Sequence, residues 1–147
     1  MARQRIEIQQ SFKAPVEDIF KTLADHVSFG KVIETKIKRA IDSQEQNKNG
    51  VGSVRRISSF QFPSFEETVL KFENNKLIEY TVSKGSPIKN HKGRMEFSEN
   101  NGVTNLFYLI EFDPKPPFIF LGSILRKAID NTIRNGLKKL SEEYDIE

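Results

Sequence analysis

Apolar and polar residues alternate along most of this chain, and the alternation yields to a helical period near each end. Residues 3–13 put Ile6, Ile8 and Gln10 on one face and Arg5, Glu7 and Gln9 on the other, the period of a half-buried strand. Residues 15–24 then carry Val16, Ile19, Phe20 and Leu23 at helical spacing. Pro15 suits the first helical position, where its missing N–H costs nothing. Glu17 and Asp18 place negative charge near the positive end of that helix. Residues 26–33 read as a second short helix with Val27, Val32 and Ile33 apolar, and 35–43 alternate again through Ile37 and Ile41. A polar loop from Ser43 closes on the turn signal Asn49-Gly50.

Five further strands are expected, over 52–60, 65–73, 76–84, 89–99 and 103–113. The second uses Phe65, Val69, Leu70 and Phe72, and the third uses Ile78, Tyr80 and Val82. Asn74-Asn75, Gly85-Ser86-Pro87 and Asn100-Asn101-Gly102 punctuate them. Pro114, Pro116 and Pro117 end the sheet, and one long helix runs from Phe118 to about Tyr144. Its stripe is Leu121, Leu125, Ile129, Ile133, Leu137, Leu140 and Tyr144. Those steps are mostly above the helical repeat, so the stripe winds and suits a twisted sheet. Strands joined by short turns pair antiparallel, and a lone long helix buries its stripe on one sheet face. The expected class is α+β, a single domain over residues 1–147 built as a curled antiparallel sheet around a C-terminal helix.

This order resembles the helix-grip fold of the START-like, or SRPBCC, superfamily of polyketide cyclase, lipid-transfer and Bet v 1-like proteins. The strand-to-helix joint Ala14-Pro15-Val16-Glu17-Asp18-Ile19-Phe20 is similar to the one that opens those proteins. Gly50-Val51-Gly52-Ser53-Val54-Arg55 resembles their Gly-rich approach to the third strand. Glu67-Thr68-Val69 with Leu77-Ile78-Glu79-Tyr80 resembles their paired central strands, and Gly102-Val103-Thr104 before Leu106 and Tyr108 their last strand. The family often carries Trp after the first helix and in the last strand, where this chain has Phe29 and Tyr108 nearby. The resemblance covers essentially the whole chain. It implies a seven-stranded curled sheet, two short helices, one long C-terminal helix and a cavity between sheet and helix for a lipid, polyketide, hormone or aromatic metabolite. It implies no single chemistry, because carriers and enzymes share the fold.

Composition narrows the alternatives. Of 147 residues, 37% are apolar and 29% charged, a globular balance with enough chain to bury a core. No apolar run is long enough to span a membrane, and the N-terminus lacks the apolar core of a signal peptide. With no cysteine there are no disulfides, thiol nucleophiles or Cys-ligated metals, and a cytoplasmic location is the expectation. The net charge of +3 comes from dispersed Lys and Arg, with only Lys36, Lys38 and Arg39 close together, so no nucleic-acid partner is expected. His26 and His91, the two histidines, lack zinc-helix spacing, and neither a metal nor a cofactor is expected. Twelve Phe and no Trp suit a core or a greasy pocket equally.

Strand parity nominates the polar candidates. His91, Gly93, Met95 and Phe97 share the apolar face of their strand, with Gly93 leaving room as a cavity wall would. His91 is either a ligand contact or general base, or a sheet-end histidine bonded to a backbone carbonyl. Arg55 shares a face with Ser53, Ile57 and Ser59; Glu67 shares one with Phe65, Val69 and Lys71. Facing each other across a hairpin, they form either an inward pair that anchors a polar ligand group or a surface ion pair, with Arg56 in place of Arg55 if the parity is reversed. Tyr80 and Tyr108 are core residues or pocket phenols, while Asn105 and Glu111 face outward. Met95, Phe97, Phe118, Leu121 and Leu125 are the expected wall residues. The segment 116–122 is apolar around nearly a whole turn, more than one buried face requires. The surplus meets the first short helices, a lid, a ligand mouth, a partner or a membrane surface. Gly122 inside the helix implies a close approach.

The expected function is sequestration or transport of a hydrophobic small molecule. The alternatives are a cyclase, dehydratase or hydrolase acting on such a ligand, and a protein-interaction role such as a co-chaperone or a lipid chaperone of a respiratory complex. For the catalytic alternative the sequence supplies His91 or Glu67 as proton-transfer group and a Tyr to polarise a carbonyl, without a closed constellation.

Overall fold

A computed structural model describes residues 3–58 and 63–145. Its strands are β1 (Gln4–Phe12), β2 (Lys36–Ile41), β3 (Val54–Ser58), β4 (Phe65–Glu73), β5 (Leu77–Lys84), β6 (Ile88–Asn100) and β7 (Val103–Pro114). Helices α1 (Val16–Ala24) and α2 (His26–Val32) follow β1. A 3-10 turn (Phe118–Leu121) leads into α3 (Gly122–Glu143). The strands form one antiparallel sheet in the order β1-β7-β6-β5-β4-β3-β2. This is the α+β arrangement expected from the pattern, with the helix grip that the resemblance implies. β1 and β2 lie at opposite edges, and α1 and α2 carry the chain between them. Among the described residues no helix is long and apolar enough to cross a membrane.

Local chemistry accounts for the elements. Pro15 is the residue before α1 rather than its first, and its carbonyl accepts from Asp18 and Ile19. The Asp25 carboxylate accepts from the Ser28 N–H at 2.9 Å and starts α2. Asn101 and Gly102 both take positive φ, 52° and 77°, which makes the two-residue β6–β7 hairpin. In the loop before β3, Gly52 rather than Gly50 is left-handed, at φ 85°.

The core lies between the inner sheet face and α3, with α1 and α2 closing the rest. Ile6, Ile8, Met95, Leu106, Tyr108, Ile110, Phe112 and Leu137 are almost wholly enclosed. Phe20 of α1 meets Phe72 and Phe97 edge-on at 5.3 and 5.0 Å.

Several expectations of facing are corrected by irregular pairing. The register shifts between Arg39 and Ile41, and Ile41 is exposed. It shifts again between Val69 and Lys71, so Leu70 and Lys71 both turn outward and Lys71 does not share the face of Glu67. On α2 the buried residues are His26, Phe29 and Gly30, and Val27 is exposed. The strand expected over 52–60 is described at Val54–Ser58; Ser59 and Phe60 lie outside the described residues. Gly93 leaves no void, because a Cβ there would collide with the Tyr80 ring. Gly122 does mark a close approach, to Gln4 and Pro114 of the sheet.

Candidate functional site

Between the inner face of the sheet, α2 and the middle of α3 lies a hollow of about 150 Å³. Most of its wall is aliphatic, including Ile57, Val82, Ile88, Ile110, Ile129 and Ile133, and among the described residues Phe29 and Phe65 are the phenylalanines that line it. Its polar wall residues are Thr35, Glu67, Tyr80, His91, Tyr108 and Thr132. A broader groove of about 1010 Å³ runs along the surface beside it, and Ile33, Thr35 and Thr132 border both spaces.

Strand register brings the charged pair together. Arg55 on β3 is the direct cross-strand partner of Glu67 on β4. Ser53, Arg55 and Ile57 all face inward, while Arg56 faces out and pairs with Glu66 at 3.1 Å. Arg55 Nε donates to Glu67 Oε1 at 2.7 Å. Arg55 Nη2 lies 2.7 Å from the same oxygen but lacks the alignment of a hydrogen bond. The guanidinium sits 4.9 Å from the Phe29 ring centre and 4.5 Å from that of Tyr80. Burial works against its charge, but Glu67, reinforced by Tyr80 and Tyr108, more than offsets this and raises its pKa. The arginine is buried (4% exposed), so the surface-pair reading does not hold.

The Tyr80 and Tyr108 hydroxyls hydrogen-bond each other. Burial, the largest cause for each, raises both phenols above their ordinary value against the opposing pull of the Arg55 charge, so they stay neutral. One hydroxyl donates and the other accepts, which leaves the accepting hydroxyl its own proton to offer. His91 is aimed inward by a register shift between Lys89 and Lys92, with Asn90 at φ 52°. Its Nδ1 accepts from the Val82 N–H at 3.1 Å. That bond fixes the tautomer with the proton on Nε2. Burial lowers the pKa of His91, which keeps the ring neutral. The hollow is thus apolar with a carboxylate acceptor and neutral N–H and O–H donors in its wall. Such a set can orient one hydroxyl or carbonyl of a bound ring.

Of the residues nominated from sequence, Glu67, Tyr80, His91 and Tyr108 border this hollow, and Arg55 stands behind Glu67. The other five lie elsewhere. Phe97 packs against Phe20 of α1, and Met95 and Leu125 are buried without bordering the hollow. Leu121 is partly buried and Phe118 is exposed at the helix start. Sequence reasoning missed Phe29 and His26, which share one face of α2 at i, i+3 spacing. His26 bonds Ser53 Oγ through Nε2 at 2.9 Å, and its Nδ1 has no partner among the described residues. Burial, then Arg55 and Arg39, lowers its pKa to about 3. Among the described residues no three His, Asp or Glu side chains cluster as a metal site.

A family model described as polyketide cyclase / dehydrase and lipid transport matches residues 3–145. No curated protein matches the sequence. Among solved structures, the Zhui aromatase/cyclase of Streptomyces superposes with a TM-score of 0.74 at 13% identity, covering 94% of this chain and 93% of that one. Norcoclaurine synthase from Thalictrum flavum, in complex with dopamine and hydroxybenzaldehyde, gives 0.67 at 13% identity over 99% and 90%. A protein of Mesorhizobium loti gives 0.69 at 16% identity over 97% and 100%. At these identities the likeness is one of fold.

Proposed function

The chain belongs to the polyketide cyclase / dehydrase and lipid transport family, and from that premise we propose that it binds a hydrophobic small molecule by one ring-sized end in the hollow beneath the sheet. The observation that carries this reading is a fixed polar set, Glu67 held by buried Arg55 together with His91 and the tyrosine pair, in an otherwise apolar wall. Each of these groups has a partner within the protein, yet the His91 Nε2–H and the second tyrosine proton remain to donate, and a ligand hydroxyl or carbonyl would engage them.

Size limits the guest. Ligand pockets commonly measure about 300–1,000 Å³, whereas a dry cavity of about 150 Å³ accepts a molecule such as benzene. A buried ring removes roughly 150–250 Å² from water, or about 4–6 kcal/mol before ordering costs. That alone gives weak binding. The remainder of the ligand therefore passes between Thr35 and Thr132 into the adjoining groove, where Asn131 and Asn135 offer amide contacts. The norcoclaurine synthase complex with dopamine and hydroxybenzaldehyde, both single-ring compounds, fits this ligand class.

A catalytic reading draws on Glu67 and His91 bordering one space. It is the weaker reading, because His91 spends Nδ1 on the backbone and shares no hydrogen bond with Glu67 or either tyrosine. Native mass spectrometry after gentle purification, with a thermal-shift panel of phenols, aryl ketones and lipids, tests the proposal. A retained mass or a stabilising ring compound is expected. Absence of both would refute it.

A further inference from the structure

The start of α3 leaves its surplus apolar side chains in solvent. Phe120 is 79% exposed, Ile124 61% and Phe118 41%. Among the described residues none of the three joins the core cluster or packs against it. The opposite side of the same turn is fully used, with Leu125 buried and Gly122 seated against Gln4 and Pro114. Among the described residues the exposed trio therefore forms an uncovered apolar corner just after Pro116-Pro117.

Basic residues surround that corner. Lys115 precedes it, and its N–H bonds the Pro87 carbonyl at 2.7 Å, which brings the loop between Lys84 and Lys89 alongside. Lys127 lies one turn beyond Ile124 on the same helix face. Lys84, Lys89, Lys115 and Lys127 enter no ion pair among the described residues. The acids in reach are already engaged, Asp113 by Arg3 at 3.3 Å and Asp130 by Arg134 at 2.7 Å.

We propose that this corner docks on an anionic lipid surface. Aromatic and aliphatic side chains with a basic border match a bilayer interface, where apolar groups enter the headgroup boundary and lysines meet acidic lipid. A second copy is a poor occupant, because a two-fold contact would set one lysine border against another.

Flotation of the full chain with phosphatidylserine-containing and with pure phosphatidylcholine vesicles tests the proposal. Binding to the acidic vesicles, weakened by added salt, is expected. Phe120→Ser with Ile124→Ser should cut it at least about tenfold at an unchanged melting temperature, and Lys115→Glu with Lys127→Glu should do the same. No binding, or equal binding by the variants, overturns the proposal. So does a wild-type dimer that the Phe120→Ser, Ile124→Ser variant abolishes, or a capture by an acidic protein surface that vesicles do not compete.

Discussion

Replacing Arg55 with Met removes the cation that neutralises Glu67 while keeping a long apolar side chain between Phe29 and Tyr80. The Glu67 side chain is only 12% exposed, so its carboxylate is left without a counter-ion in a mainly aliphatic wall. Removing one partner of a buried pair costs about 3–5 kcal/mol. The residual exposure of Glu67 argues for the lower end, and lost ring contacts add about 1 kcal/mol, giving roughly 3–4 kcal/mol. For a chain of this length that lowers Tm by about 10 °C. The partner variant Glu67→Leu, which strands Arg55, should be comparably destabilised. The double variant Arg55→Met, Glu67→Leu should lie within about 1 kcal/mol of the parent, since apolar replacement of a buried pair is often neutral. Urea unfolding at neutral pH with matched slopes measures all four proteins. An Arg55→Met protein as stable as the parent, or a double variant destabilised by the sum of the singles, would refute the pairing.

Three other outcomes follow from the same structure. His26 has a pKa near 6.5 when unfolded, and burial lowers it to about 3 when folded, so the unfolded chain binds the extra proton and stability is lost as the pH drops from 6.5 toward 3. Between pH 7 and 5.5 the loss is about 1 kcal/mol, His91 adds in the same direction, and His26→Gln should flatten the urea-midpoint profile. Gly93→Ala drives a methyl group into the Tyr80 ring and should cost about 1–3 kcal/mol by calorimetry; parent-like stability would show that the ring lies elsewhere. Ala128→Phe, from the helix side of the hollow, should abolish ring-ligand thermal shifts with Tm kept or raised, and unchanged shifts would place binding outside the hollow.

The pattern of the chain carried the architecture because each strand repeats its facing over several residues and each turn is spelled out by Asn, Gly or Pro. Strand parity nominates Arg55, Glu67, Tyr80, His91 and Tyr108 but leaves open whether the Arg55–Glu67 pair faces inward or into solvent, a choice that depends on how β3 and β4 sit in the curled sheet. The wall was less legible. Met95 and Phe97 share the correct face with His91, but parity says nothing of position along a strand, and Phe20 of α1 packs on Phe97. Gly93 looked like open space because a sequence cannot show that a ring from β5 occupies it. Leu70 and Lys71 needed a register shift that period-two counting does not contain. Phe29 and His26 sit on a helix of seven residues, too short for its period to choose between its faces.

A crystal structure of the protein soaked with 4-methylphenol measures the occupancy of the hollow. Ring density against Ile57, Ile110 and Ile129, with the hydroxyl in hydrogen-bond reach of Glu67 or His91, is the predicted result. A hollow that stays unfilled at saturating ligand, or that collapses onto its own side chains, would contradict the account.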